Sequence, residues 1–308
     1  MNKPAKQHTI PKCYLKQFID PGIPSNFGPC VWIFERESKR GKRKNIKSVL
    51  VSKDVYTFEG DYTIETSLAR LESDYSVIFE NKIKKKIPLT SQEHAVFCAF
   101  VAAMLQRTLK QKEHVENQID GIIAHIKQME MVHGSKPKTS LEWEEAKKDA
   151  HKVQLVEMAP EIAKILSKMN IAFLCSRNKN VSYITSDSPV HLFNSQTQFD
   201  PFYSPAFGQR GVEVRMPLSP EISVSFSWIC NVRGYLMATE DMVHNDNRMV
   251  FGHSHEYFIS NSEEVKRRWF NRLPLDPVFL WRYLRHEVPR RVVRFKRRKQ
   301  YDRSRKTK

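Results

Sequence analysis

Glycine is scarce in this chain, at 10 of 308 residues. No GxxxxGK[ST] or GxGxxG run occurs, so the glycine-rich turns that cradle phosphates are missing. No nucleotide or dinucleotide cofactor is expected. The five cysteines, Cys13, Cys30, Cys98, Cys175 and Cys230, stand far apart, with no CxxC pair. That pattern argues against a disulfide frame or a cysteine-type zinc site and fits reduced thiols in a cytoplasm. No cysteine adjoins a histidine in sequence, which leaves only a Cys/His dyad assembled in space. No apolar run approaches the ~18 residues of a membrane span. The opening MNKPAKQHTIPKCYLKQF has no apolar stretch of the kind a secretory leader carries. GxSxG, the frame of a serine nucleophile elbow, is missing too. There is no internal repeat and no Gly/Ser linker.

What the chain has in excess is positive charge. Its 51 Lys+Arg face 34 Asp+Glu, a formal +17. The excess is unevenly placed. Arg282–Lys308 holds 13 bases against Glu287 and Asp302, and the other 281 residues hold 38 against 32. The tail therefore carries +11 and the body only +6. A second cluster, Arg36–Lys47, has seven cations. Such segments attract polyanions, nucleic acid or anionic lipid, or else serve as solubilising ends. The tail positions aimed at phosphate are Arg290, Arg291, Arg294, Lys296, Arg297, Arg298 and Lys299.

Apolar residues make up 40% of the chain, enough for a substantial core. Residues 1–30 are proline-rich, with a short helix possible behind Pro11. Val31–Phe34 reads as a buried strand, Arg36–Lys47 as a hairpin loop around Gly41, and 48–58 as a further strand. Ile64, Leu68, Leu71, Tyr75 and Ile78 recur at helical steps, which predicts a helix over 63–86 capped by Thr63 and stopped by Pro88. A second helix is expected from Ser91 to about Val132, broken near Gly121, and a third from Leu141 to Met169, kinked at Pro160. Beyond Asn170 the period changes to that of strands. Pairs are predicted at 171–175 with 181–185, and at 212–216 with 222–228. A helix over 239–252, a strand over 256–260 and a helix over 263–270 follow. The fold class is α+β: a mostly antiparallel sheet with a layer of long helices. One domain spans 1–274, and 275–308 is a partly disordered basic extension.

Three places set reactive groups beside structure that can hold them. In Gln7-His8-Thr9-Ile10-Pro11, His8 is followed by anchoring residues. It can act as acid, base or metal ligand, or simply bond the backbone of a docked segment. On the 63–86 helix, Glu65 and Glu72 lie seven residues apart, pointing the same way about 10–11 Å apart along the axis. They can bind a hard cation or move protons, or be charges on a solvated face. In Thr185-Ser186-Asp187-Ser188-Pro189, Asp187 ends an apolar strand. It is either a carboxylate entering a cleft or the cap of an Asx-type turn. His191, four residues on, is placed to join it. His253 and His255 would share a face if on a strand.

QHTIPKCYLKQF at 7–18, IETSLARLE at 64–72, YITSDSPV at 183–190, PLSP at 217–220, and Asn247-Arg248 ahead of EYFIS occur in this order. Together they resemble a widespread, mainly bacterial family classed as a domain of unknown function. The resemblance spans about 7–262 and implies that His8, Glu65, Glu72, Asp187 and Asn247 occupy polar positions of the family pattern. Lys12 stands where the pattern favours Arg, and Ser188 where it favours Asn. The resemblance supplies no reaction. Joined to the tail, these residues point to a phosphodiesterase or nuclease dependent on Mg²⁺ or Mn²⁺, acting on RNA or DNA as a toxin or phage-defence effector. In that scheme Glu72 and Asp187 hold the cation, Glu65 orients water and His8 moves the proton. The competing expectation is a non-catalytic nucleic-acid-binding protein in which the same polar residues are structural.

Overall fold

In the computed structural model the residues described are 7–24, 28–52, 55–56, 61–134, 138–178, 180–195, 197, 204–229 and 233–270. The architecture is α+β, as expected, with antiparallel pairing dominant. The compact body is Met1–Trp269. No helix among the described residues is long and apolar enough to cross a membrane.

The N-terminal segment begins with a two-residue strand β1 (Gln7–His8) and a one-turn helix α1 (Lys12–Leu15). Pro11 precedes the helix, where its missing N–H costs nothing. Strands β2 (Cys30–Glu35) and β3 (Gly41–Asn45) form a hairpin, followed by β4 (Val51–Ser52), which pairs with β1. The basic stretch is thus only partly loop: the turn is 36–40, and Gly41 opens a strand. A Cβ at Gly41 would lie 2.3 Å from the Phe34 ring, so glycine is required there for close approach rather than for turning.

Helix α2 (Thr63–Ile78) continues through a wider turn to Ile83. Its cap is the Asp61 carboxylate, which accepts from the Thr63 N–H at 2.8 Å, rather than the Thr63 hydroxyl. Helix α3 (Ser91–Gln106) starts with a full capping box, Thr90 with Glu93, one residue ahead of the expected cap. The long second helix breaks at Arg107-Thr108, not at Gly121. Thr108 caps a new helix α4 (Leu109–Val132) by accepting from the Gln111 N–H, and α4 runs through Gly121. The third helix divides at 148–149 into α5 (Thr139–Lys147) and α6 (Ala150–Lys168). The latter runs through Pro160 without interruption.

Strand β5 (Asn170–Ser176) sits inside a five-stranded sheet with β10 (Gly234–Ala238), β9 (Ile222–Ser227), β8 (Glu213–Ser219) and β7 (His191–Phe193), in the order β10-β5-β9-β8-β7. Only β10–β5 is parallel. The expected hairpin of 171–175 with 181–185 does not form. Val181–Ile184 is buried but not paired as a strand, and β6 (Thr185–Ser186) joins the other sheet, β3-β2-β11-β6. There β11 (Tyr257–Ser260) pairs with both β2 and β6. The 212–228 hairpin forms as expected. Helix α7 (Glu240–His253) precedes β11, and the last expected helix shrinks to one tight turn at Arg267–Trp269.

One core fills the space between α2, α3, α6 and the five-stranded sheet. Tyr75 stacks on Phe100 with centroids 3.7 Å apart, and Phe97 meets Phe173 and Phe226. Each such side chain contributes about 1.5–3 kcal/mol by burial. Helix α7 covers the opposite face through Val243, packed with Leu174, Tyr183 and Ala238.

Candidate functional site

The N-terminal motif is pinned by hydrogen bonds at nearly every residue. The Gln7 amide bridges two elements, donating to Glu65 Oε2 at 3.0 Å and accepting from the Tyr56 N–H at 2.9 Å. His8 Nε2 lies 3.2 Å from the Ile46 carbonyl. Burial lowers the His8 imidazole below its usual range, the Ile46 carbonyl opposing it, so the ring is held neutral. Tyr14, fully buried, donates to the Pro217 carbonyl at 2.5 Å and lies 2.6 Å from Thr185 Oγ1. One tyrosine therefore ties the first motif to the strand before Asp187 and to the turn of PLSP.

Sequence reasoning missed the centre of this arrangement, Arg107. It lies at the break between α3 and α4 with its side chain only 5% exposed. Nη1 donates to Glu72 Oε1 at 2.7 Å, and Nη2 donates to the His8 carbonyl at 2.7 Å. The guanidinium lies 5.3 Å from the Tyr56 ring centre, and the Tyr56 hydroxyl returns a bond to the Arg107 carbonyl. A buried cation needs this much compensation. His8, Glu65 and Glu72 thus come together around Arg107, the two glutamates on one side of α2. The single signal for Arg107 in the sequence was Thr108 three residues before Gln111, a cap that forces the break.

Asp187 sits elsewhere, in the turn after β6. Oδ1 accepts from the His255 N–H at 2.8 Å, and Oδ2 accepts from those of Glu256 and Tyr257 at 2.7 and 2.8 Å. It caps the entry to β11, sixty-eight to seventy residues away, rather than the residues just after it. Three donors aimed at one carboxylate do not fit a cation there, because their positive ends face the position a metal would take. Glu72 is likewise committed to Arg107. Among the described residues no group of three or more His, Cys, Asp or Glu converges as a metal set. Asn247 bridges the Ile184 N–H at 3.0 Å and the Ser182 carbonyl at 2.8 Å, holding the unpaired segment before Asp187 against α7.

His191 joins Asp246, not Asp187. Asp246, 1% exposed, accepts from Arg215 Nη1 at 3.1 Å and Ser223 Oγ at 2.8 Å, with His191 Nε2 at 3.7 Å. Burial works to raise this carboxyl, but Arg215 and its other partners hold it down at about 2. His191 stacks on His253, centroids 5.5 Å apart, so His253 and His255 are not strand neighbours sharing a face. Burial, then the His191 ring, pulls His253 down to about 3. Burial, then Arg268, pulls His244 to about 4, and its Nδ1 accepts from the Trp269 indole N–H at 2.8 Å. Both histidines are neutral when folded and titrate near 6.5 when unfolded. Acid therefore favours the unfolded chain. Stability is full above about pH 6.5 and falls as pH drops towards 4, by about 2–4 kcal/mol in all. Below pH 4, protonation of Asp246 adds to the loss. Denaturant titrations at pH 7.5, 6 and 4.5 check this, and a flat profile contradicts it.

One Cys/His contact exists among the described residues, Cys98 Sγ to His94 Nε2 at 3.5 Å. Burial pushes the Cys98 thiol up to about 12, so it is not an activated nucleophile. The tail positions Arg290, Arg291, Arg294, Lys296, Arg297, Arg298 and Lys299 lie outside the described residues.

A family model described as "Protein of unknown function (DUF4238)" matches residues 6–264. The chain belongs to that family. Comparison with curated proteins and with solved structures gives no match. The DUF4238 span contains Gln7, His8, Glu65, Glu72, Arg107, Asp187 and Asn247, the residues that tie the elements together. It ends before the basic tail, so the DUF4238 region and the +11 segment are separate parts of the chain.

Proposed function

We propose that this DUF4238 protein binds nucleic acid through its basic segments, without cleaving it, and that its polar motif residues are scaffold. The observation that carries the reading is the segregation of charge: Arg282–Lys308 has 13 bases against two acids, while the body is close to ordinary. Support also comes from the motif carboxylates. Glu65, Glu72 and Asp187 each meet donors from the protein itself. Binding of this kind is sequence-independent and driven by counterion release. It presumes a cytoplasmic setting, where the thiols stay reduced.

The test is a salt titration of affinity for a labelled single-stranded oligonucleotide, with the full chain and with a chain lacking 282–308. The full chain should bind, with log K falling steeply against log salt. Truncation should weaken binding at least tenfold and flatten the slope. Equal affinity and slope for the two proteins would overturn the assignment to the tail.

A second reading, the Mg²⁺- or Mn²⁺-dependent phosphodiesterase, is favoured by one observation. His8, Glu65 and Glu72 gather at one place that solvent reaches, and His8 Nδ1 has no partner among the described residues. It requires metal-dependent cleavage that Glu72→Gln abolishes without unfolding the protein.

A further inference from the structure

The body has its own concentration of unneutralised cations, on the β2–β3 hairpin. Strand β3 is the outer strand of its sheet, paired only with β2. Lys42 and Lys44 stand opposite Ile33 and Val31, so the two lysines share one face of the sheet. Side chains two apart on a strand are about 6.8 Å apart, a step that a stretched phosphodiester chain can follow. Arg40 in the turn and Lys47 beyond the strand extend the row at its two ends. Among the described residues, the side chains of Arg40, Lys44 and Lys47 have no partner, and Lys42 meets Glu35 only at 3.7 Å, both being well exposed. Such a pair is worth little in water, so Lys42 remains available.

The opposite face of the hairpin shows that its shape is fixed. Arg43 is held by Asp20 at 2.7 Å and lies over Trp32, whose indole N–H donates to the same carboxylate. Gly41 admits the Phe34 ring, and Phe34 stacks on Phe258 at 4.8 Å. The row of cations therefore projects from a rigid ribbon rather than a floppy loop. A rigid row loses less freedom on binding than free chain does.

We propose that the β2–β3 hairpin is a second nucleic-acid contact, holding the phosphate backbone through Arg40, Lys42, Lys44 and Lys47. This rests on the nucleic-acid-binding reading and deepens it. Two basic segments on one chain act together: once one engages, the other binds at the high local concentration set by the connection. The hairpin reads no base, because every group in the row is a flexible cation.

Edge strands also carry lysine simply to prevent sheet-to-sheet association. The experiment separates the two roles. Arg40→Gln, Lys42→Gln, Lys44→Gln and Lys47→Gln are combined in the full-length chain, and affinity for a labelled single-stranded oligonucleotide is measured across salt concentrations. Light scattering and an unfolding midpoint are recorded on the same samples. The expected result is a tenfold or greater loss of affinity near 0.1 M salt. The salt slope should be shallower by roughly three, about one unit per lost phosphate contact, with the midpoint unchanged. Unchanged affinity and slope beside a binding wild type overturn the hairpin contact alone. Association of the variant with affinity intact does so too, and assigns the lysines to edge protection. If the wild-type chain binds no nucleic acid at all, the proposed function and this contact fall together.

Discussion

Arg107→Met should lower the free energy of unfolding by about 3–5 kcal/mol, the usual cost of breaking a buried ion pair by removing one partner. Four elements lose a shared anchor in that variant. Glu72 on α2 is left without its cation, the His8 carbonyl on β1 without its donor, and the Tyr56 ring without the guanidinium beside it. Methionine fills most of the volume, so the loss reports charge and hydrogen bonding rather than a cavity. Arg107→Lys should recover only part of it. A single ammonium cannot reach both Glu72 and the His8 carbonyl with the forked geometry the guanidinium supplies. The reading is the midpoint of urea unfolding with the slope unchanged. Wild-type stability in Arg107→Met would show that the N-terminal motif is docked by other means.

Asp187→Ala should cost about 3–5 kcal/mol. Three backbone N–H groups lose their acceptor at once, and each orphaned donor in a part-buried site costs about 1–3 kcal/mol. Asp187→Asn should fall between, because one carbonyl oxygen remains and the amide NH₂ meets donors where the second oxygen accepted. The damage should be local first. Hydrogen exchange at the amides of Glu256 and Tyr257 should accelerate before that of the five-stranded sheet, since β11 is the strand whose entry Asp187 fixes. Were Asp187 instead a group poised for a substrate, its removal would leave stability unchanged or raised, the common outcome when a strained functional site is relieved.

These effects explain which parts of the molecule were legible beforehand. Helix α2, the 212–228 hairpin and α7 follow from local periodicity, and each is bounded by a cap or turn within its own sequence. The partition of the strands was not legible. Val181–Ile184 has strand composition, yet Asn247 and the Pro220 carbonyl take its backbone groups and no ladder forms. That competition comes from sixty residues downstream and leaves no local trace. The same holds at the site. His8, Glu65, Glu72 and Asp187 were visible as polar residues in anchored positions, and the common orientation of the two glutamates followed from their spacing. Their partners were not visible. Arg107 is one arginine among many until the fold buries it, and Asp187 finds its donors at 255–257 rather than beside itself. The buried Asp246, Arg215, Ser223 and His191 grouping comes from three strands and a helix, and no spacing in the chain announces it.

The account's central claim is that the motif residues build the scaffold while basic segments bind nucleic acid. The most direct test incubates the full-length protein with end-labelled single-stranded RNA and duplex DNA in Mn²⁺, in Mg²⁺ and in EDTA, and reads both mobility and product length. The account predicts bound, full-length nucleic acid under all three conditions, released by salt. Shortened products that need the metal, and that disappear in a folded Glu72→Gln protein, would contradict it.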